Sequence, residues 1–434
     1  MQTSIEALSR LERRLNMAVP AEQIDREVEQ RLRKLSRTVR MDGFRPGKVP
    51  LKILAQHYGP QVRSEVIGDA VQKAFSEVVQ EQKLKVAGYP RIERKEGGDE
   101  KQLTFSATFE VYPEVKLGDL AAIRIQRPAH GVDDADVDRT IEILRKQRAG
   151  WDAVTRASQP GDRVTVDFTG RIDGNEFPGG KGTAMAVVIG EGRVLPQFES
   201  GLTGVSAGEQ KSFPSVFPSD YPGKDVAGKS AIFEISVQKV EAPRLPGVDA
   251  EFAKSLGVAD GDIVKMREEV KANVEREVKK RIESEVKQKV MQALIDSAAL
   301  ELPKSLVEIE LQRMVQQTRA DLEARGVKLE KLPVNPEALE AQARRRVTLG
   351  LILGELVRSH ELGAKPEQVR ALVTEHAQTY EQPFEVVRWV YSEPQRLNEF
   401  EGLAVESNVV NWVLGHARVE DKAISFDELM EAAK

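Results

Sequence analysis

A four-residue rhythm constrains this chain more than any other feature. Met266, Val270, Val274, Val278, Ile282, Val286, Val290 and Leu294 recur every fourth residue, and the residues between them are mostly Lys, Arg and Glu. A stripe one residue wide predicts a long helix that touches its neighbours along a narrow seam. Glu/Lys pairs four apart on its exposed sides support it by about a few tenths of a kcal/mol each. Pro303 is expected to end it. Beyond that point Gly326, Pro333, Pro336, Gly363, Pro366, Pro383 and Pro394 punctuate further helix-forming stretches. A coiled coil is the alternative, but the proline spacing argues for shorter antiparallel helices. Residues 244–434 therefore read as an all-α domain of helical arms. Leu311, Met314, Val315, Leu349, Leu351 and Ile352 are candidates for apolar patches on these arms, although each also fits an ordinary core position.

The segment before it has a different pattern. Val164, Val166 and Phe168 alternate with polar residues, as do Ala231, Phe233, Ile235 and Val237. Glycine and proline are dense between them, from Gly170 to Gly223. Short strands with many tight turns predict a small, strongly bent sheet over residues 150–243. Residues 1–113 read as an α+β unit. Leu103, Phe105, Ala107, Phe109 and Val111 alternate strictly, which predicts a strand with one face on a core. Helical patterns cover Ala21 to Arg40 and Gln61 to about Gln82. Residues 114–149 read as a linker, with Asp134, Asp136 and Asp138 before a helix-like run containing Ile141, Ile143 and Leu144.

Composition agrees with a multidomain α+β chain. A length of 434 residues suggests about three domains. Aromatic content of 5% is sparse for one large core and points to several small ones. There is no cysteine, so disulfides, thiolate nucleophiles and thiolate metal sites are excluded. His57, His130, His360, His376 and His416 form no close-spaced ligand pair, so neither a metal nor a cofactor is expected. The N-terminus has acids at Glu6 and Glu12 and no apolar run, unlike a signal peptide. The longest apolar stretch, near Val347–Leu353, is far short of a membrane span. A cytoplasmic protein with no membrane partner is the expectation.

The stretch Gly43-Phe44-Arg45-Pro46-Gly47-Lys48-Val49-Pro50 bears most directly on function. Two glycines and two prolines in eight residues exclude helix and central strand. Phe44, Arg45 and Lys48 would then stand on a stiff exposed turn, as a docking tip for an anionic, partly apolar partner. The preceding helix supports this reading. Ile24, Val28, Leu32, Leu35 and Val39 form a buried face, while Arg26, Arg31, Arg33, Lys34, Arg37 and Arg40 lie elsewhere. From Arg31 to Lys48 there are seven cations and one acid, Asp42, although the whole chain carries a net charge of -5. Nucleic acid is the obvious anion. Charge alone leaves open a solvated helix face followed by an ordinary turn. A phosphate-binding loop is excluded, because three residues rather than four precede the Gly-Lys pair and Val49 follows it.

The run Gly-Phe-Arg-x-Gly-Lys-x-Pro resembles the ribosome-docking signature of the trigger factor family, bacterial chaperones at the nascent-chain exit. The resemblance extends over nearly all of the chain, in three blocks in that family's order. It implies that Gly43, Phe44, Arg45, Gly47 and Lys48 form the tip that contacts the large ribosomal subunit, protein and rRNA, beside the exit tunnel. Many members have Lys where this chain has Pro46. The implied partners are the ribosome, nascent and unfolded polypeptides, and a second copy of the chain in a homodimer off the ribosome. The bent-sheet block resembles an FKBP-type prolyl isomerase. Its motifs are Val166-Asp167-Phe168-Thr169-Gly170, Phe177, Ile189-Gly190-x-Gly192, Val194-Leu195-Pro196-Gln197-Phe198-Glu199-x-Gly201-Leu202 and Tyr221-Pro222. This resemblance implies that Phe168, Phe177, Leu195, Phe198, Tyr221 and Phe233 wall a proline pocket, with Phe198 as its floor and the Tyr221 hydroxyl as a donor to the substrate carbonyl. Two positions depart from many single-domain members: Pro178 replaces an Asp, and Phe198 replaces a Trp.

Together these readings predict an ATP-independent, ribosome-associated chaperone that also isomerises X-Pro bonds. Two alternatives remain at this stage: a prolyl isomerase with helical dimerisation arms and no ribosomal role, and a non-enzymatic nucleic-acid adaptor.

Overall fold

The computed structural model describes residues 2–42, 44, 48–95, 102–219, 221, 223, 225–326 and 336–431. The chain begins with β1 (Gln2–Ala7), β2 (Glu12–Pro20), α1 (Ala21–Thr38), α2 (Leu51–Glu81), β3 (Val86–Arg94) and β4 (Gln102–Val111). It continues with β5 (Lys116–Leu117), β6 (Arg124–Ala129), α3 (Asp134–Gln147), β7 (Gly150–Ala153), β8 (Arg163–Ile172), β9 (Asn175–Val188), α4 (Pro196–Gly201), β10 (Gln210–Val216) and β11 (Ser230–Arg244). Then come α5 (Ala250–Ser255), α6 (Ile263–Ser297), β12 (Ala298–Ala299), α7 (Lys304–Ala324) and α8 (Pro336–His360). Last are α9 (Pro366–Ala377), α10 (Pro383–Tyr391), α11 (Pro394–His416), β13 (Arg418–Ala423) and α12 (Phe426–Glu431). The chain divides into two compact units, residues 1–127 with 284–422 and residues 128–283 with 423–434.

In the first unit, β1, β2, β4 and β3 form an antiparallel sheet in that order. The alternation read from Leu103 to Val111 is real: Phe105, Ala107 and Phe109 are buried, and Leu103 and Val111 pack against them. Ile24 and Leu32 of α1, with Leu54, Val62, Val66, Val71, Ala74 and Val78 of α2, complete this core. The second helix begins ten residues before the expected Gln61 and runs through Pro60. Pro60 is exposed, so the carbonyl it leaves without an amide partner can turn to water instead of breaking the helix.

Pro303 does not end the long helix. That helix stops at Ser297, and Ala298–Ala299 then pairs with Lys116–Leu117. Pro303 instead sits at the N-cap of α7, where its side chain offers no cap. Glu110 of β4 supplies one: its carboxylate accepts the amides of Lys304 at 3.0 Å and Ser305 at 2.7 Å. Pro366, Pro383 and Pro394 likewise open α9, α10 and α11. Proline has no amide to lose in a first helical turn, so it marks starts here.

In the second unit, β10, β11, β8 and β9 are successive neighbours and β7 pairs with β11, all antiparallel. Register shifts interrupt the β8–β11 and β8–β9 pairings, and they bend the sheet. Helix α3 opens with a capping box in which Asp133 and Asp136 each bond the other's backbone amide. Val137 and Ile141 are buried and Leu144 packs with them, but Ile143 points outward. Met266, Val270, Val274 and Val278 of the narrow seam pack with these residues and with Phe252, Phe426 and Leu429.

His130 ties the C-terminal segment to the start of α3. Its Nε2 lies 2.8 Å from Asp136 Oδ2 and its Nδ1 lies 3.0 Å from the Ile424 carbonyl oxygen. A carbonyl and an ionised carboxylate both only accept, so the doubly protonated ring satisfies both contacts. Burial works against the charged ring, but the bonds to Asp136 and Ile424 outweigh it and raise the pKa of His130. A raised pKa gives stabilisation that is full below the ordinary His value and fades as pH rises through the folded-state pKa. Replacing His130 with Asn should therefore lower the melting temperature more at about pH 5.5 than at about pH 8.5. Equal losses at both would show that the ring is not charged in the fold.

Candidate functional site

The bent sheet of the second unit gathers aromatic side chains on its inner face. Phe168 stands on β8, Phe177 on β9, Phe213 on β10 and Phe233 on β11. Phe198 comes from α4, a helix that Pro196 starts and Leu195 precedes as N-cap. Phe233 is 5% exposed and Phe198 is 4% exposed, so these two rings form the bottom of the group. Their centroids lie 5.1 Å apart with planes at 87°, an edge-to-face contact. Phe168 meets Phe198 edge-on at 5.6 Å. Phe168, Phe177 and Leu195 are only partly buried against the core, as pocket walls must be. Tyr221 is exposed and stacks its ring edge 4.9 Å from Phe217.

The structure gathers Phe168, Phe177, Leu195, Phe198 and Phe233 in one core, and among the described residues Tyr221 reaches that group only through Phe217. It adds two that the sequence did not single out: Phe213, 5.6 Å from Phe198, and Phe217, 5.7 Å from Phe177. Phe213 faces Phe233 directly across the β10–β11 pairing. Only the strand register reveals that pairing, and the short strand around Phe213 carries no long alternation to predict it. Met185, Val194 and Ile172 also pack at this edge of the core.

Charged groups fix the frame of the group without entering it. Asp167, next to Phe168, accepts the Ala184 amide at 2.7 Å and the Gln238 side chain at 2.8 and 2.9 Å. These bonds, the Ala184 amide first, hold its pKa below the usual carboxylate range and pin β9 beside Phe168. Glu241 would be raised by burial, but bonds from Lys239 and Arg163 outweigh that and lower it. Asp162 is lowered chiefly by its bond from Arg156. Twisting a peptide bond needs no nucleophile, and an apolar aromatic surface favours the less polar twisted amide.

The docking stretch lies between α1 and α2. Gly43, Arg45 and Gly47, with Pro46, fall outside the described residues. Phe44 is 36% exposed and its amide donates to the Met41 carbonyl at 3.1 Å. Lys48 is exposed, while Val49 is buried in the core beneath. The basic face of α1 is less free than its composition suggests. Arg26 pairs with Glu22, Arg33 with Glu29 and Arg31 with Asp69. Among the described residues no acid pairs with Lys34, Arg37 or Arg40, all exposed toward the C-terminal end of α1, where the helix dipole favours cations.

The arm residues named as candidate apolar patches are buried to different degrees. Met314 and Ile352 are buried, and Leu311, Val315, Leu349 and Leu351 are half-buried. Four exposed aromatic side chains lie on and beside α10: Tyr380, Phe384, Trp389 and Tyr391, with Phe384 at 92% exposure. The Arg396 guanidinium stacks 3.9 Å from the Trp389 ring centre.

Comparison with known proteins adds three family models. The model for the bacterial trigger factor protein matches residues 1–144 and that for its C-terminus matches residues 262–415. The FKBP-type peptidyl-prolyl cis-trans isomerase model matches residues 154–238. The chain is 54% identical over 430 residues to a trigger factor of Aromatoleum aromaticum, covering 99% of each. It is also 54% identical over 432 residues to one of Nitrosospira multiformis, again covering 99% of each. A solved structure titled "Promiscuous Substrate Recognition in Folding and Assembly Activities of the Trigger Factor Chaperone" aligns over 96% of this chain and 99% of its own, at 19% identity and a TM-score of 0.49.

The ring geometry makes a stability prediction. Phe233→Ala removes a ring that meets five other rings of this group and should cost about 3–5 kcal/mol in denaturant unfolding. Tyr221→Phe changes only an exposed hydroxyl and should stay within about 0.5 kcal/mol of wild type. Similar losses for the two variants would mean that Phe233 is not the centre of this core.

Proposed function

This chain belongs to the trigger factor family, and we propose that it is a cytoplasmic, ATP-independent chaperone that docks on the ribosome beside the exit tunnel. It carries an FKBP-type peptidyl-prolyl isomerase domain. The observation that carries the isomerase reading is the convergence of Phe168, Phe177, Phe198 and Phe233 from three strands and a helix into one ring cluster.

In this reading the proline ring sits against Phe198 and Phe233, while Phe168, Phe177 and Leu195 close the sides. The barrier to be lowered is the amide resonance, about 18–20 kcal/mol. Apolar walls exclude the water that would favour the planar, more polar amide, and so favour the twisted one. Tyr221, exposed beside Phe217, would offer its hydroxyl to the substrate carbonyl. Pro178 beside Phe177 gives that rim no carboxylate.

Ribosome docking falls to Gly43, Phe44, Arg45, Gly47 and Lys48, and Lys34, Arg37 and Arg40 extend the positive field behind them. Clients are nascent and unfolded polypeptides. The exposed aromatic side chains around α10 support a weak, repeated grip on such chains, since several shallow contacts gain avidity together. Off the ribosome the chain forms a homodimer. The domains that divide this labour span residues 1–113, 150–243 and 244–434, with 114–149 as linker.

Co-sedimentation with ribosomes tests the docking role. A Phe44→Ala, Arg45→Ala, Lys48→Ala triple variant should lose binding while keeping near wild-type isomerase turnover on a short proline peptide. Wild-type binding should weaken as salt rises. Undiminished sedimentation of the triple variant would remove the docking role from this loop.

A further inference from the structure

The isomerase hollow depends on residues that carry no side chain. Two of its rings stand directly across the sheet from a glycine: Phe168 opposite Gly182 on β9, and Phe233 opposite Gly170 on β8. Each ring leans over its glycine. A Cβ built on Gly182 would lie 2.4 Å from Phe168 Cε1 and 2.9 Å from its Cζ. One built on Gly170 would lie 2.7 Å from Phe233 Cε1 and 3.1 Å from Phe177 Cε1. Real carbon–carbon contacts near 3.5–4.0 Å leave no room for either. Neither glycine has a positive φ that would explain its presence as a turn residue. What requires glycine at both places is the close approach of a ring.

We propose that Gly182 and Gly170 are positioning residues for prolyl isomerisation, each seating one aromatic wall of the hollow. The inference rests on the isomerase reading above and deepens it. Gly182 is the sharper case. Phe168 is only partly buried, so a methyl at position 182 pushes its ring into the hollow rather than into packed core. Asp167 holds β9 through the Ala184 amide at 2.7 Å, so the strand cannot simply retreat. Phe233 is 5% exposed and ringed by other aromatics, so a methyl at Gly170 would strain the core as well as the hollow.

The test couples Gly182 to Phe168 in the full-length chain. Wild-type turnover of a short proline peptide is measured first, and its absence would count against the isomerase reading itself. Gly182→Ala is expected to lower kcat/KM at least about fivefold. In a Phe168→Leu background, where the side chain is smaller, the same substitution is expected to change kcat/KM less than about twofold. Fluorine NMR of the fluorophenylalanine-labelled chain reads the ring directly, and the Phe168 resonance should shift in Gly182→Ala whatever the turnover. If Gly182→Ala fails to fold, adding Phe168→Leu is expected to restore the fold. Equal effects of Gly182→Ala in both backgrounds, an unshifted Phe168 resonance, or a double variant as unfolded as the single one would overturn the proposal.

Discussion

Phe233 draws the rings of its sheet together. The centroids of Phe168, Phe177, Phe198, Phe213 and Phe217 all lie within 6.5 Å of its own. The whole chain has 14 phenylalanines, and this group takes Phe168, Phe177, Phe198, Phe213, Phe217 and Phe233. A chain with few aromatics has concentrated them where a dry, shaped surface is needed. The core of the first unit relies mainly on Val, Leu, Ile and Ala, helped by Phe105 and by an edge-to-face pair of Phe75 and Phe109. Edge-to-face contacts fix the orientation of the rings as well as their burial, which a cluster of aliphatic side chains would do less well.

That arrangement needs a sheet that bends, approaches closely and stays put. The register shifts in β8–β9 and β8–β11 supply the bend. Asp167 and the Arg163–Glu241 pair, at 2.9 Å, hold neighbouring strands by charge-assisted bonds outside the hollow. The partly buried rings of Phe168 and Phe177 are then held without the strands spreading. A similar economy appears in the first unit, where Glu110 of a strand caps a helix that opens without a cap of its own.

The seam from Met266 to Leu294 was legible because a helical period of buried residues is a local signal. Met266, Val270, Val274, Val278, Val286, Val290 and Leu294 are buried, and Ile282 packs beside them. The strand from Leu103 to Val111 was legible for the same reason. Proline misled where its meaning depends on what lies nearby. Pro60 is tolerated because it faces water, and Pro303 starts a helix because Glu110 reaches its first amides. The gathering of Phe168, Phe177, Leu195, Phe198 and Phe233 was legible through several motifs in register with a known family. Phe213 and Phe217 were not, because their contacts depend on which strand lies beside which. The exposed aromatics around α10 escaped notice because composition cannot separate a buried ring from an exposed one.

A proline peptide held at the aromatic group around Phe233 would perturb those rings and spare the others. Titration of a short X-Pro peptide into the full-length chain, followed by NMR of labelled phenylalanine rings, tests this placement most directly. Graded, saturable shifts are expected at Phe168, Phe177, Phe198 and Phe233, with Phe75, Phe105 and Phe109 unmoved. Shifts confined to Phe384 and its neighbours on α10, with the Phe233 group silent, would contradict it.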